Sequence, residues 1–166
     1  MPNEPQKFWN FSLQLYNREG VAAACLELQD TYQLDVNLIL FCFWHGSAYG
    51  EIDQALLKSV IELSSEWRTH VVQPLRNVRT WMKLTPNPSE QFNSLREAIK
   101  EDELLAEKYQ QERIASLASE FNRGRKCLFG IDDIGNNTDS LLQALGIEQD
   151  KKIASRLEIL RSALEG

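Results

Sequence analysis

The stretch DVNLILFCFWHG, residues 35–46, decides how the fold is interpreted. From position 36 to position 44, every residue except Asn37 is apolar or cysteine. A membrane-spanning helix needs about 20 such residues, so this run is too short to cross a bilayer. It lacks the alternation of a half-buried strand and holds only two β-branched residues, Val36 and Ile39. The run therefore predicts a short helix that is apolar nearly all round and lies at the centre of a helical bundle, with a buried strand as the alternative.

The residues at both ends of this run indicate where the helix begins and ends. Asp35 is a typical N-cap residue. With Asp35 as the cap, Asn37 falls at the second helical position, where a polar residue is tolerated because the backbone donors there lack intrahelical partners. Gly46 predicts the C-terminal stop. His45 would then lie in the last turn, where a protonated imidazole interacts favourably with the last carbonyl groups.

Helical spacing of apolar residues extends on both sides of this central run. Apolar residues recur at spacings of three and four through residues 8–16, 19–33 and 52–82. Pro74 predicts a kink or a new helix start within the last of these segments. TPNPS, residues 85–89, is a turn, and the helix that follows it extends to about residue 121.

These elements predict an all-α, single-domain helical bundle of six or seven helices. The core bundle covers about residues 6–121. A loop near residues 122–137 has the Gly, Asp and Asn content that is typical of turns. A C-terminal helical hairpin at about residues 138–164 follows that loop.

The composition narrows the class of protein. A chain of 166 residues with 43% hydrophobic and 25% charged residues is typical of one globular domain. The first ten residues lack the basic start and apolar run of a secretory signal, and three cysteines without a CxxC motif favour a reducing compartment. We therefore expect a cytoplasmic protein without a membrane span. The net charge of −6 and the lack of a broad basic face argue against nucleic acid binding, and nothing in the sequence indicates the oligomeric state.

Four segments resemble a conserved hypothetical family of proteobacterial proteins. That family runs W-x-F-S-x-x-x-Y, G-V-x-x-A-C-L-x-L-Q, D-V-N-L-x-L-F and P-L-R-x-x-R-R-x-L-K, where this chain has WNFSLQLY, GVAAACLELQ, DVNLILF and PLRNVRTWMK. The resemblance covers roughly residues 8–110. The chain departs from it at Thr80, where the family has a second arginine, and after residue 120. The family has no known function, so the resemblance implies a bacterial origin and a helical fold but no catalytic residues.

The sharpest chemical signal is a basic run in an acidic chain. Between residues 67 and 89 there is no Asp or Glu, whereas Arg68, Arg76, Arg79 and Lys83 all occur there. The last three share one face of a helix. Two guanidinium groups one turn apart can bind a phosphate or a carboxylate. We name these four residues the basic strip, and they are the candidate binding site for a small anion or an acidic protein partner.

Three interpretations of the basic strip stay open. Its arginines can pair with Glu103 and Glu107 on the following helix in a purely structural cluster, can bind a ligand or partner, or can simply be solvated. The leading hypothesis is a non-enzymatic protein that binds an acidic partner or small anion through this helix face. The alternative is an enzyme with a polar pocket inside the bundle, where Arg76 and Arg79 hold an anionic substrate and Glu103 or Glu107 is the general acid or base.

Other reactive residues give weaker signals, and no catalytic residue is identified. Cys25 and Cys42 fall on apolar helix faces and are predicted to be inert core thiols. Cys127 follows basic residues that lower the pKa of a thiol, but a loop cysteine of this kind does not by itself indicate a nucleophile. The sequence has no Gly-rich phosphate loop, GxSxG or HExxH motif, and no Glu-x-x-His element. We therefore predict no metal and no cofactor.

Overall fold

The computed structural model describes residues 4–125 and 131–166, and every regular element in those ranges is helical. The elements are α1 (Glu4–Tyr16), α2 (Val21–Tyr32), α3 (Val36–Tyr49), α4 (Gln54–Trp67), a π-helical turn (Arg68–Val72), α5 (Gln73–Leu84), α6 (Glu90–Phe121), α7 (Ile131–Ala144) and α8 (Lys151–Glu165). Because residues 54–84 form one continuous helical run, the described part of the chain contains seven helices. The predicted all-α fold is confirmed.

Helix α3 is the centre of the bundle. Its N-cap is Asp35, whose carboxylate accepts a 2.9 Å hydrogen bond from the backbone N–H of Asn37. Residues 37–46 are all buried, and α3 packs against α1, α2, α4, α6 and α7. From α1, the ring of Phe8 stacks on Trp44 with 4.9 Å between centroids. Full burial of each large apolar side chain contributes about 1.5–3 kcal/mol, so this helix anchors the fold.

Gly46 does not end α3, and that prediction is wrong. The helix continues to Tyr49, and Gly50, with a φ of 82°, is the C-cap. A Cβ atom on Gly46 would lie 2.6 Å from Cγ1 of Ile134. The glycine is therefore required by the close approach of α7 rather than by the end of the helix.

His45 is a neutral core residue and not the protonated helix-terminal imidazole predicted from the sequence. It is fully buried. Its Nδ1 lies 2.9 Å from the carbonyl oxygen of Gly50, and its Nε2 lies 2.9 Å from the amide nitrogen of Asn122. A carbonyl can only accept, so Nδ1 donates and Nε2 accepts from Asn122. Burial lowers the pKa of His45, which agrees with the neutral form.

The π-helical turn is the structural consequence of Pro74. Proline has no backbone N–H and its ring crowds the carbonyl four residues earlier, so an α-helix cannot pass through it undisturbed. Here the backbone N–H of Gln73 donates to the carbonyl of Arg68, five residues earlier. The helix is thus irregular before Pro74, as a π turn, and Pro74 lies in the first turn of α5. The indole Nε1 of Trp67, just before this turn, donates to the carbonyl of Ala106 at 2.9 Å and fixes the turn against α6.

The predicted loop near residues 122–137 is wrong for its second half, because α7 already begins at Ile131. The Asp, Gly and Asn residues that suggested a loop are accommodated within the helix. Asp132 and Asp133 lie in its first turn, where negative charge is favourable. Asn137 is buried, where it accepts from the backbone N–H of Ile52 at 2.8 Å and donates to the carbonyl of Gly50 at 3.1 Å. Cys127 lies outside the described residues.

The C-terminal helices complete the bundle. Helix α7 packs against α3, and α8 packs against α2 and α1. Within the described ranges, no helix combines the length and the apolar character needed to cross a membrane. The division into a core bundle and a separate C-terminal hairpin stays a prediction.

Candidate functional site

The α5–α6 contact pairs two residues of the basic strip with acids. Arg76 donates from Nε to Glu103 Oε1 at 2.9 Å and from Nη2 to Glu107 Oε1 at 2.6 Å. Arg79 donates from Nε and Nη2 to the two carboxylate oxygens of Glu103. The side chain of Glu103 is only 9% exposed. This is the pairing that the structural interpretation of the basic strip predicts.

The two glutamates of this cluster differ in how far arginine partners offset the burial of their carboxylates. Burial of the Glu103 carboxyl opposes its ionisation, but the hydrogen bonds and charges of Arg79 and Arg76 outweigh burial and lower its pKa. Burial raises the pKa of Glu107; Arg76 lowers it, and the neighbouring Glu103 charge adds to the rise. Glu107 receives one charged partner where Glu103 receives two. It is therefore the carboxyl of the pair that is suited to exchange a proton or accept a further donor.

The remaining two residues of the basic strip lie apart from this cluster. Arg68 is half-buried in the π turn and donates from Nη1 to the carbonyl of Gln33 at 3.1 Å. Lys83 is exposed in the last turn of α5. The four basic residues therefore do not form one open cationic surface.

A cavity of about 220 Å³ lies beside this cluster, between α1, α2, α3, α6 and the π turn. Its apolar wall includes Trp9, Leu13, Leu26, Leu40 and Leu104. A cavity of about 10–15 Å³ already holds one water molecule, so this cavity has room for much more than a single water. It is large enough for one small molecule.

The other wall of the cavity is polar and charged. Arg68, Arg76, Asp35 and Glu107 line it, so two cationic and two carboxyl side chains face the same space. Burial raises the pKa of Asp35 against the opposing effect of Arg68. Arg79, Lys83 and Glu103 do not line this cavity.

A chain of side-chain hydrogen bonds runs along the polar wall. Asp35 Oδ2 accepts from Gln110 Nε2 at 2.7 Å, Gln110 Oε1 accepts from Asn37 Nδ2 at 3.0 Å, and Asn37 Oδ1 accepts from Gln111 Nε2 at 2.8 Å. Asp35 accepts through both of its oxygens. A carboxylate can only accept, so Gln110 must turn its amide nitrogen toward Asp35 and its oxygen toward Asn37. The same rule orients Asn37 and then Gln111, so the chain ends on the side-chain carbonyl oxygen of Gln111.

Two buried oxygens in residues that line the cavity have no hydrogen-bond partner in the described part of the chain. They are Oε1 of Gln111 and Oγ of Ser12, whose residues are 1% and 4% exposed. A buried polar atom without a partner costs about 1–3 kcal/mol, and most such atoms in proteins are satisfied. Two residues beside this cavity thus carry hydrogen-bonding capacity that the described side chains and backbone do not use.

Metal ligation and thiol chemistry receive no structural support in the described ranges. Within residues 4–125 and 131–166, no three His, Cys, Asp or Glu side chains gather as a metal site requires. Cys25 and Cys42 are free and buried, and burial raises the pKa of Cys25 to about 12. A thiol with such a pKa is not a nucleophile near neutral pH.

Comparison with known proteins identifies the family of this chain but assigns it no function. A family model described as "Protein of unknown function (DUF2390)" matches residues 7–114, which is well over half of the chain. The chain belongs to this DUF2390 family. The expectation of a family of unknown function is confirmed. Neither the curated proteins nor the solved structures contain a match.

The DUF2390 region contains the whole candidate site. Every residue that lines the cavity, from Trp9 to Gln111, falls within residues 7–114, as does the Arg76–Glu103 cluster. Helices α7 and α8 lie outside the matched region. The cavity and the polar chain are therefore features of the part of the molecule that defines the family match.

Only part of this site is predicted from the sequence. The predicted residues are Arg68, Arg76 and Glu107, whereas Gln110, Gln111 and Ser12 are not predicted. Asn37 is expected to be a polar residue that a helix start tolerates, but it is buried and hydrogen-bonds to both glutamines. The available signal was the single polar residue in the apolar run at 36–44, together with two adjacent glutamines in α6.

Proposed function

We propose that this DUF2390 chain is a cytoplasmic, non-enzymatic protein that binds one small molecule in the cavity between α1, α2, α3 and α6. The observation that carries the proposal is the cavity itself, where an apolar wall faces a polar wall of charged side chains. This combination is typical of small-molecule sites. The buried free thiols Cys25 and Cys42 accord with a reducing compartment.

A small ligand explains the geometry better than an acidic protein partner does. The charges of Arg76 and Arg79 are already matched by Glu103 and Glu107, which reduces the positive potential of the basic strip. Arg68 and Arg76 also line the cavity, whereas Arg79 and Lys83 do not. The basic strip therefore contributes to binding through its two inward residues.

A fragment screen tests the proposal with two matched variants. Leu104 and Leu105 are neighbouring, exposed leucines of α6, but only Leu104 lines the cavity. We expect Leu104→Trp to cover the mouth without disturbing the core, and Leu105→Trp to leave the cavity open. Ligand-observed NMR with a library of anionic, cationic, zwitterionic and uncharged fragments should give hits for the wild type and L105W that L104W loses. A library without hits, or hits that L104W keeps, would rule out this binding site.

The second candidate is an enzyme that uses the same cavity. It is favoured by Glu107, which lines the cavity and whose pKa is raised mainly by burial, as for many general acids and bases. Incubation with a mixture of cell metabolites, followed by mass spectrometry, should then show a time-dependent conversion. Glu107→Gln should abolish the conversion, whereas Glu101→Gln, on the exposed face of the same helix, should retain it.

A further inference from the structure

The charge pattern of the cavity narrows the class of ligand. The cavity is lined by the cations of Arg68 and Arg76 and by the carboxyls of Asp35 and Glu107. A pure anion would bring its charge close to the two carboxyls, and a pure cation would bring its charge close to the two arginines. Like charges in a partly dehydrated site repel strongly. The wall is therefore complementary to a ligand that carries both signs of charge.

The spacing of the charges indicates that the ligand's two charges are adjacent. Arg76 Nη2 and Glu107 Oε1 are 2.6 Å apart, so the wall presents a cation and a carboxylate side by side. Arg76 also donates to Glu103. Among the described residues, the Glu107 carboxylate accepts a hydrogen bond only from Arg76, and it does so through Oε1. Oε2 of Glu107 is thus free to accept from a ligand ammonium, and the arginines retain N–H groups for a carboxylate.

The carboxyl groups of this wall require a donor on the ligand. Glu107 lines the cavity, and its carboxylate oxygens accept hydrogen bonds and cannot donate them. An ammonium group supplies N–H donors for Glu107, whereas a carboxylate or phosphate supplies none.

The apolar wall indicates the character of the uncharged part of the ligand. Leucines from α1, α2, α3 and α6, together with Trp9, form the apolar side of a cavity of about 220 Å³. We propose, building on the binding function above, that the ligand is a small zwitterion with adjacent ammonium and carboxylate groups on an apolar body, the chemistry of an apolar α-amino acid. The carboxylate faces Arg68 and Arg76, the ammonium faces Glu107, and the apolar body contacts the leucines.

Probes that share one apolar body test this directly. Isothermal titration calorimetry would compare L-phenylalanine with 3-phenylpropanoate, 2-phenylethylamine and 3-phenylpropan-1-ol, which keep the phenyl group but change the head. A second set, L-leucine with 4-methylpentanoate and 3-methylbutylamine, covers a smaller body. In at least one set, the zwitterion should bind at least about tenfold more tightly than each relative, since one hydrogen bond to a charged group is worth that much. If neither zwitterion binds about tenfold more tightly than every relative in its own set, the zwitterion assignment is overturned.

A conservative variant distinguishes a loss of the ammonium contact to Glu107 from a general loss of binding through unfolding. Glu107→Gln keeps the size of the side chain and removes its charge. It should weaken binding of the zwitterion about tenfold while leaving 3-phenylpropanoate unchanged or tighter, and Glu101→Gln should change neither. An equal loss for both probes would contradict the assigned role. If fragments bind in the screen above but neither zwitterion does, the ligand class is wrong and the binding function stands; if no fragment binds, both fail.

Discussion

The substitution Glu103→Gln tests the buried pairing that holds α5 against α6. Glu103 accepts three hydrogen bonds, one from Arg76 and two from Arg79, and its side chain is 9% exposed while that of Arg79 is 26% exposed. Glutamine keeps the shape and one acceptor oxygen, but it removes the charge and turns an NH₂ group toward a guanidinium. A hydrogen bond to a charged group contributes about 1.5–3 kcal/mol. Surface ion pairs contribute about 0–1 kcal/mol, and breaking a buried pair costs about 3–5 kcal/mol.

The Glu103 cluster is partly buried, so its contribution to stability lies between that of a surface ion pair and that of a buried one. We therefore expect E103Q to lower the free energy of unfolding by about 2 kcal/mol at pH 7. For a domain of this size, that corresponds to a decrease in Tm of about 4–8 °C. Urea unfolding followed by far-UV circular dichroism measures the difference. Glu101→Gln is the matched control, because Glu101 is exposed on the same helix and should change stability by less than about 0.5 kcal/mol.

The pH dependence makes the test specific to the carboxylate. The pKa of Glu103 is lower in the folded protein than its usual value of 4.5, so its contribution is complete above that value and is lost as the pH falls through the folded pKa. The wild type should therefore lose stability below about pH 4.5 more steeply than E103Q does. A difference at pH 7 below 0.5 kcal/mol, or one that persists unchanged at pH 3, would refute the assigned role of Glu103.

Three further substitutions test the interior. Gly46→Ala should destabilise the protein by about 1–3 kcal/mol in urea unfolding, since the new methyl group would overlap Ile134, and a wild-type value would contradict the close α3–α7 packing. Asn37→Ala removes the hydrogen-bond partners of Gln110 Oε1 and Gln111 Nε2 and should cost about 2 kcal/mol; a change below 0.5 kcal/mol would show that the amide chain is not formed. Burial lowers the pKa of His45 in the folded protein, so as the pH decreases the unfolded state is protonated before the folded state. Wild-type stability should therefore fall as the pH decreases below 6.5. This slope should disappear in His45→Gln and persist in His70→Gln, whose parent side chain is exposed; an equal slope in both variants would contradict it.

The helices were predictable because apolar spacing and caps act locally. Asp35 caps the helix that the sequence assigns to it, Ser89 at the end of the predicted turn caps α6, and Pro74 directly follows the π turn. The errors occur where a tertiary contact overrides local preference. Gly46 suggested a helix end, but it serves the approach of Ile134, and Asn137 suggested a loop, but its amide is buried against Gly50.

The site was predictable only in its charged part. Arg76 and Glu107 stand out as charges at helical spacing, and their pairing follows from two helices joined by a short turn. Which of these residues face a cavity depends on how α1 packs over α3 and α6, and no local pattern encodes that. Ser12 and Gln111 are ordinary polar residues in the sequence and become informative only when they are buried without a partner.

Native mass spectrometry of the protein purified from its own cells tests directly whether the cavity holds a ligand. We expect a bound small molecule of one defined mass in the wild type and in L105W, and its absence from L104W, where the indole covers the cavity. A wild-type protein without a bound molecule, or the same mass retained by L104W, would contradict the claim that this cavity is the binding site.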